Sequence, residues 1–223
     1  MKLHPVLALI AVVGSSGCAT VFTGTRQDIA LTSTPPGATV VVLGGTPANL
    51  ALRAKKVDDL RELVLSLLGP YLPEEVKEAA KVMDIDELVT KLVLLTRLSE
   101  VPPELVASAG SFLSAIPGPI VDKLADILGI EGAGVSPTKF ELKKGKPYAV
   151  VTWAKGYGAK LLKVDTTFNW VTLVNVLNAF LGVIVDGLTG AWFNLSPDEV
   201  VYTLAPLPAA APPPDAPAAP ASP

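Results

Sequence analysis

The chain has 223 residues, 50% of them hydrophobic, enough to bury a real core, so one or two globular domains are expected and disorder is not the default. Its 18 basic and 21 acidic residues leave a formal charge of -3 spread along the sequence, which argues against nucleic acid as a partner. One cysteine closes no internal disulfide, so the cysteine count alone says nothing about an oxidising compartment.

Residues 1–17 have the anatomy of an export signal. Lys2 gives a basic start, Val6 to Val13 an apolar run, and Gly14, Ser15, Ser16 and Gly17 a small-residue stretch before Cys18. The run is well below the roughly 20 residues that cross a bilayer as a helix, so a removable leader is expected rather than a permanent span. Ser15, Ser16, Gly17 and Cys18 resemble the lipobox of bacterial lipoproteins, with Ser15 standing where leucine or another large aliphatic is usual. The resemblance implies cleavage before Cys18, diacylglycerol on its thiol and acylation of the new amine, several chains anchoring stably where one would not. Ala19 in place of aspartate implies passage to the outer membrane if the host has two membranes. The alternative is an ordinary signal peptide cut elsewhere, which would leave a free surface thiol.

The only histidine, His4, falls in that leader, and lipid would block the only thiol. Ser-His-Asp and Cys-His catalysis and histidine-ligated metal sites are then not available to the mature chain. No catalytic residue, cofactor or metal is expected; only carboxylates, lysines, tyrosines and hydroxyls remain for chemistry.

Beyond the leader, DIALTSTPPGATVVVLGG alternates around a turn: Ile29 and Leu31, then Pro35, Pro36 and Gly37, then the β-branched run Thr39 to Leu43. This predicts a hairpin. Later, Phe140 and Leu142, a Lys-Lys-Gly-Lys-Pro turn, Tyr148 to Trp153, a Gly156-Tyr157-Gly158 turn and Leu161 to Val164 predict three more short strands. TSTPPGATVVV followed by SPTKFELKKGKPYAVVTWAKGYGAK resembles the PEGA domain, a small β fold of the bacterial envelope. Pro35, Pro36, Gly37 and Ala38, the lysine-rich turn, and Lys155, Gly156 and Tyr157 carry the resemblance. GCATVFTGTRQ and LGVIVDGLTGAWFNLSPDEV are similar to segments of small lipoproteins with that domain. The match spans about half the chain and implies a β domain in two parts, 18–45 and 135–168.

The stretch between them departs from the family, whose first hairpin leads to the Thr-Pro strand within a few residues. Residues 46–134 instead repeat apolar positions at helical spacing: Val57, Leu60, Val64, Leu67 and Leu68; Val76, Ala79, Ala80 and Met83; Leu88, Leu92, Leu95 and Leu98; Leu105, Ala109, Phe112 and Leu113; Ile120, Leu124, Ile127 and Leu128. About five short helices follow, punctuated by Gly69-Pro70, Pro73, Asp84, Pro102-Pro103 and Gly118-Pro119. TPANLALRAKK, residues 46–56, reads either as an earlier copy of the Thr-Pro strand or as the start of the first helix. The fold class expected is therefore α+β: a small antiparallel domain interrupted by a helical bundle.

Charge divides along the same line. Residues 53–131 hold about 9 basic and 14 acidic side chains, whereas Lys139, Lys143, Lys144, Lys146, Lys155, Lys160 and Lys163 crowd the second β part. Lys143, Lys144 and Lys146 are candidate contacts to anionic headgroups or wall polymers; the alternative is edge-strand lysines that block aggregation. Residues 169–193 form the most hydrophobic tract of the mature chain. Thr172, Asn175, Asn178, Gly182, Asp186 and Thr189 recur at intervals of three or four, so an apolar helical segment is expected to pack on the core or lie on a membrane rather than span it. Asp186 is the candidate functional carboxylate, with helix termination as its plainer role. Residues 194–204 read as a closing strand, and 205–223 as a disordered Pro/Ala tail.

These readings lead to a lipid-anchored, non-enzymatic cell-envelope protein that is held at the membrane through acyl chains on Cys18 and contacts an envelope protein or the cell wall. Two others compete: a hydrophobic ligand or lipid held by the helices, and a carboxylate hydrolase built on Asp58 with Asp59 or Asp84 with Asp86, residues that also read as solvated helix starts.

Overall fold

The computed structural model describes residues 24–53, 57–109, 116–171 and 186–208. The leader, His4, Cys18, most of the apolar tract and the tail from 209 onward lie outside the described residues.

The fold is mixed α+β, with two sheets in which antiparallel pairing dominates. Its strands are β1 (Arg26–Thr34), β2 (Thr39–Leu43), β3 (Ile130–Val135), β4 (Thr138–Lys143), β5 (Tyr148–Trp153), β6 (Lys160–Phe168), β7 (Phe193–Ser196) and β8 (Glu199–Thr203). Order β4-β1-β8 makes a three-stranded sheet and order β3-β2-β5-β6-β7 a five-stranded one. Among the described strands only β1 and β8 pair in parallel.

The expected hairpin does not form, because β1 and β2 belong to different sheets. Pro35 has no N–H to pair across the turn, Gly37 takes a positive φ of 85°, and the remaining backbone groups bond to a second corner instead. Ser33 N donates to Ser136 Oγ at 2.7 Å, Gly37 N to Ser136 O at 2.9 Å, and Ser136 N to Ala38 O at 2.9 Å. The chain thus crosses from one layer to the other, and Ile29 and Leu31 meet Val40 and Val42 face to face across a sandwich core.

The five-stranded sheet is the middle layer. On β5, Tyr148 and Val150 face the sandwich, whereas Ala149, Val151 and Trp153 face the helices, so the whole strand is buried. Burial on both faces is why β2 and β5 read as continuous apolar runs rather than alternating ones.

Among the described residues six α-helices form the layer on that second face: α1 (Thr46–Arg53), α2 (Val57–Leu68), α3 (Glu74–Val82), α4 (Ile85–Thr96), α5 (Pro103–Ala109) and α6 (Gly118–Leu128), with a 3-10 turn at Gly69–Tyr71. The additional helix is TPANLALR, whose small residues Ala48 and Ala51 are fully buried one turn apart and let α1 lie close on the sheet. α4 is central, with Ile85, Leu88, Val89, Leu92, Val93, Leu94 and Leu95 all buried and Asp84 capping its first turn through Asp86 N at 3.0 Å.

The helices leave and rejoin the sheet at one crossing. Gly44 N donates to Gly129 O at 2.8 Å and Gly45 N to Leu128 O at 3.1 Å. A Cβ on Gly45 would sit 2.5 Å from the Ile127 carbonyl oxygen, and one on Gly129, at φ 62°, would sit 2.5 Å from Gly45 N.

Three further boundaries differ from expectation. Residues 130–134, assigned to the helical stretch, belong to β3, where Gly132 makes room for Phe140: a Cβ there would lie 2.9 Å from its ring. Those glycines also hide the strand signal. Residues 194–204 hold two strands, not one, β7 and β8, in different sheets. Residues 205–208 are held rather than disordered, with Leu207 N donating to Gly156 O and Gly158 N to Ala205 O, each at 2.9 Å.

Candidate functional site

At one end of the sandwich the β4–β5 turn meets the segment that leads into β7. Lys143, Lys144, Gly145 and Lys146 line a cleft of about 340 Å³ together with Gly187, Leu188, Thr189 and Gly190. Two glycine turns make this approach feasible. Gly145 and Gly190 take φ of 89° and 81°, and a Cβ on Gly190 would fall 2.8 Å from Lys144 O. All three candidate lysines are therefore brought together with the residues just after Asp186.

The lysines are not equivalent. Lys143 is exposed on β4, an edge strand. Lys144 is buried, and desolvation pushes its ammonium below the ordinary lysine pKa. Lys146 pairs with Glu131 on β3 and lies 5.1 Å from the centre of the Tyr148 ring. Burial first, and then Glu131, raises the Tyr148 phenol above its usual value, and its hydroxyl donates to Lys143 O at 2.8 Å, fixing the turn from beneath.

Asp186 is fully buried and residues 186–189 are helical, with the Thr189 hydroxyl donating to the Asp186 backbone carbonyl at 3.3 Å. The neighbouring 168–171 segment is tied to the same region. Asn169 N donates to Trp192 O at 2.7 Å, and its side-chain amide donates to Ala191 O at 2.9 Å. Phe168 stacks edge-on against Trp170 and Phe193, at 5.5 and 6.5 Å between ring centres. These aromatics are partly or largely exposed. The residues were legible as flanks of the apolar tract, but nothing in the sequence alone revealed that they stay uncovered.

The carboxylate pairs have structural partners. Asp58 pairs with Arg61 at 3.1 Å on α2, Asp84 caps α4, and Asp86 pairs with Lys163 of β6 at 3.0 Å. Inside the helical layer, the cavity among Leu68, Leu72, Val76, Leu92 and Leu95 holds about 60 Å³. A larger cleft of about 450 Å³ opens where Leu94 and Leu105 face Ala159, Leu161 and Leu207, with Asp86, Lys91 and Lys160 at its margin. Among the described residues no helix is long and apolar enough to cross a membrane. The chain matches no family model, no curated protein and no solved structure.

Proposed function

We propose that the protein is a lipid-anchored, non-catalytic lipoprotein of the cell envelope, whose split, PEGA-like β domain carries the helical layer as a structural or interaction module toward an envelope protein or the wall. The observation that carries this reading is at the start of the described chain. Thr25 O accepts a 2.9 Å bond from Lys144 N, and seven residues of extended chain reach at most about 25 Å, so an acylated Cys18 tethers this end of the sandwich close to its membrane. The split-domain reading is supported by the way the two sequence pieces interleave: β1 pairs with β4, and β2 with β3 and β5.

The test is incorporation of a fatty-acid analogue by wild type and Cys18→Ala in a bacterial host. Label is expected on wild type and lost on the variant; equal labelling of both would remove the anchor from the reading.

A second reading, binding of a hydrophobic ligand, has one observation in its favour, the 450 Å³ cleft between α4, α5 and β6. The helical interior adds little to it, since ligand pockets usually measure about 300–1,000 Å³ and that cavity is about 60 Å³.

A further inference from the structure

Among the described residues ten large hydrophobic side chains are exposed, and five of them, Phe168, Trp170, Val171, Leu188 and Phe193, fall at the lysine-turn end. Trp170 and Leu188 stand out, at 72% and 83% exposed. Direct contacts join these residues into one continuous region. Phe168 pairs with Phe193 across the β6–β7 ladder, Asn169 bonds Ala191 and Trp192, Trp192 lies beside Gly187, and Gly190 meets Gly145 of the lysine turn. Exposed tryptophan and leucine beside lysines is the composition of a surface that lies in the headgroup layer.

We propose that this region docks on an anionic phospholipid bilayer, with Trp170 and Leu188 entering the headgroup–acyl boundary and the exposed Lys143 facing lipid phosphates beside the cleft it lines. Charge is the smaller contribution. Glu131 pairs with Lys146 and Glu141 lies 3.8 Å from Arg26, so much of the basic character is offset locally. Apolar insertion therefore supplies most of the affinity. The proposal rests on the lipid-anchor reading for the presence of a bilayer, because the tether emerges beside Lys144, but the docking surface itself requires no acyl chain.

The test separates the two. The mature chain from residue 18 onward, carrying Cys18→Ser and so unacylated, is sedimented with vesicles of phosphatidylethanolamine and phosphatidylglycerol, and with vesicles of phosphatidylcholine alone. Binding to the anionic vesicles is expected, weakened about tenfold or more by Trp170→Asp together with Leu188→Asp. Lys143→Glu is expected to weaken it about fivefold and to shrink the difference between the two vesicle types. All three positions are exposed, and unchanged thermal unfolding of the variants checks that they fold. No binding to anionic vesicles, or binding that Trp170→Asp with Leu188→Asp leaves intact, overturns the proposal. So does self-association that the same pair of substitutions abolishes, since a second copy would then be the occupant. Loss of the anchor reading in the labelling experiment leaves this outcome unaffected.

Discussion

The sandwich and the helical layer bury similar kinds of side chain but are specified differently. In the sandwich, long-range polar contacts close the joints. The Gln27 side chain donates to Leu195 O and accepts from Leu195 N, both at 2.9 Å, satisfying the free edge of β7. Ser136 ties the two corners together, and the hydroxyls of Thr152 and Tyr202 meet at 3.0 Å between the sheets. In the helical layer the polar contacts run mainly within single helices, as Arg61 with Asp58, Lys77 with Glu74 and Lys91 with Glu87, and apolar packing joins one helix to the next. Geometry fixes the first region and burial holds the second. The two meet along the helix-facing side of the five-stranded sheet, through Val41, Leu43, Ala149, Val151 and Trp153, at the Gly44–Gly129 crossing and at the Lys163–Asp86 pair.

Trp153 is the sharpest way to break that division. It is fully buried on the helix-facing side of β5, and its Nε1 makes a long 3.5 Å contact to Glu100 O. Trp153→Ala is expected to cost about 3–5 kcal/mol in chemical denaturation, most of it from cavity formation. Because the loss falls on the shared boundary, helix and sheet signals should still unfold together. Separate transitions would mean that the layers are independent units and that the joints named above do not couple them.

Gln27→Ala probes the polar side of the comparison. It leaves Leu195 N and O without their partners at a half-buried edge, so a loss of about 1–2 kcal/mol is expected, against little change for truncating an exposed helical partner such as Lys77. Equal effects at Gln27 and Lys77 in the same denaturation assay would erase the distinction between a region fixed by geometry and one held by burial.

How much of this was legible follows from the same contrast. Helix periodicity exposed the layer held by burial, since Leu60, Val64 and Leu68 or Leu88, Leu92 and Leu95 recur at a spacing that only a helix turns to one side. The strands β4, β5 and β6 were legible for a similar reason. Pairing was not, because the partner of β1 is chosen by contacts more than 100 residues away, through Ser136 and Leu142, and a local Pro-Pro-Gly turn looks the same in a hairpin as in a crossing between sheets. β3 stayed hidden because Gly132 and Gly134 supply space rather than hydrophobic signal. At the candidate site, the lysine turn and Asp186 were both visible as segments. Their convergence was not, since it depends on Gly145 and Gly190 meeting backbone to backbone, which no periodicity encodes.

The smallest expected effect lies at the ion pair between layers. Lys163 Nζ and Asp86 Oδ2 are 3.0 Å apart, yet both side chains are more than a third exposed, so water and salt screen the attraction. Asp86 also sits in the first turn of α4, where a negative charge is favoured by the helix dipole whether or not Lys163 is present. Asp86→Ala should therefore cost more than Lys163→Ala, and the difference reports the helix terminus rather than the joint. The coupling energy from a double-mutant cycle removes that contribution and is expected at about 0.5–1 kcal/mol, falling as salt is raised. A coupling of about 2 kcal/mol or more that salt does not reduce would place a specific polar joint between the layers. Geometry would then extend from the sandwich into the helices, and apolar packing on β5 would no longer be the main reason they stay attached.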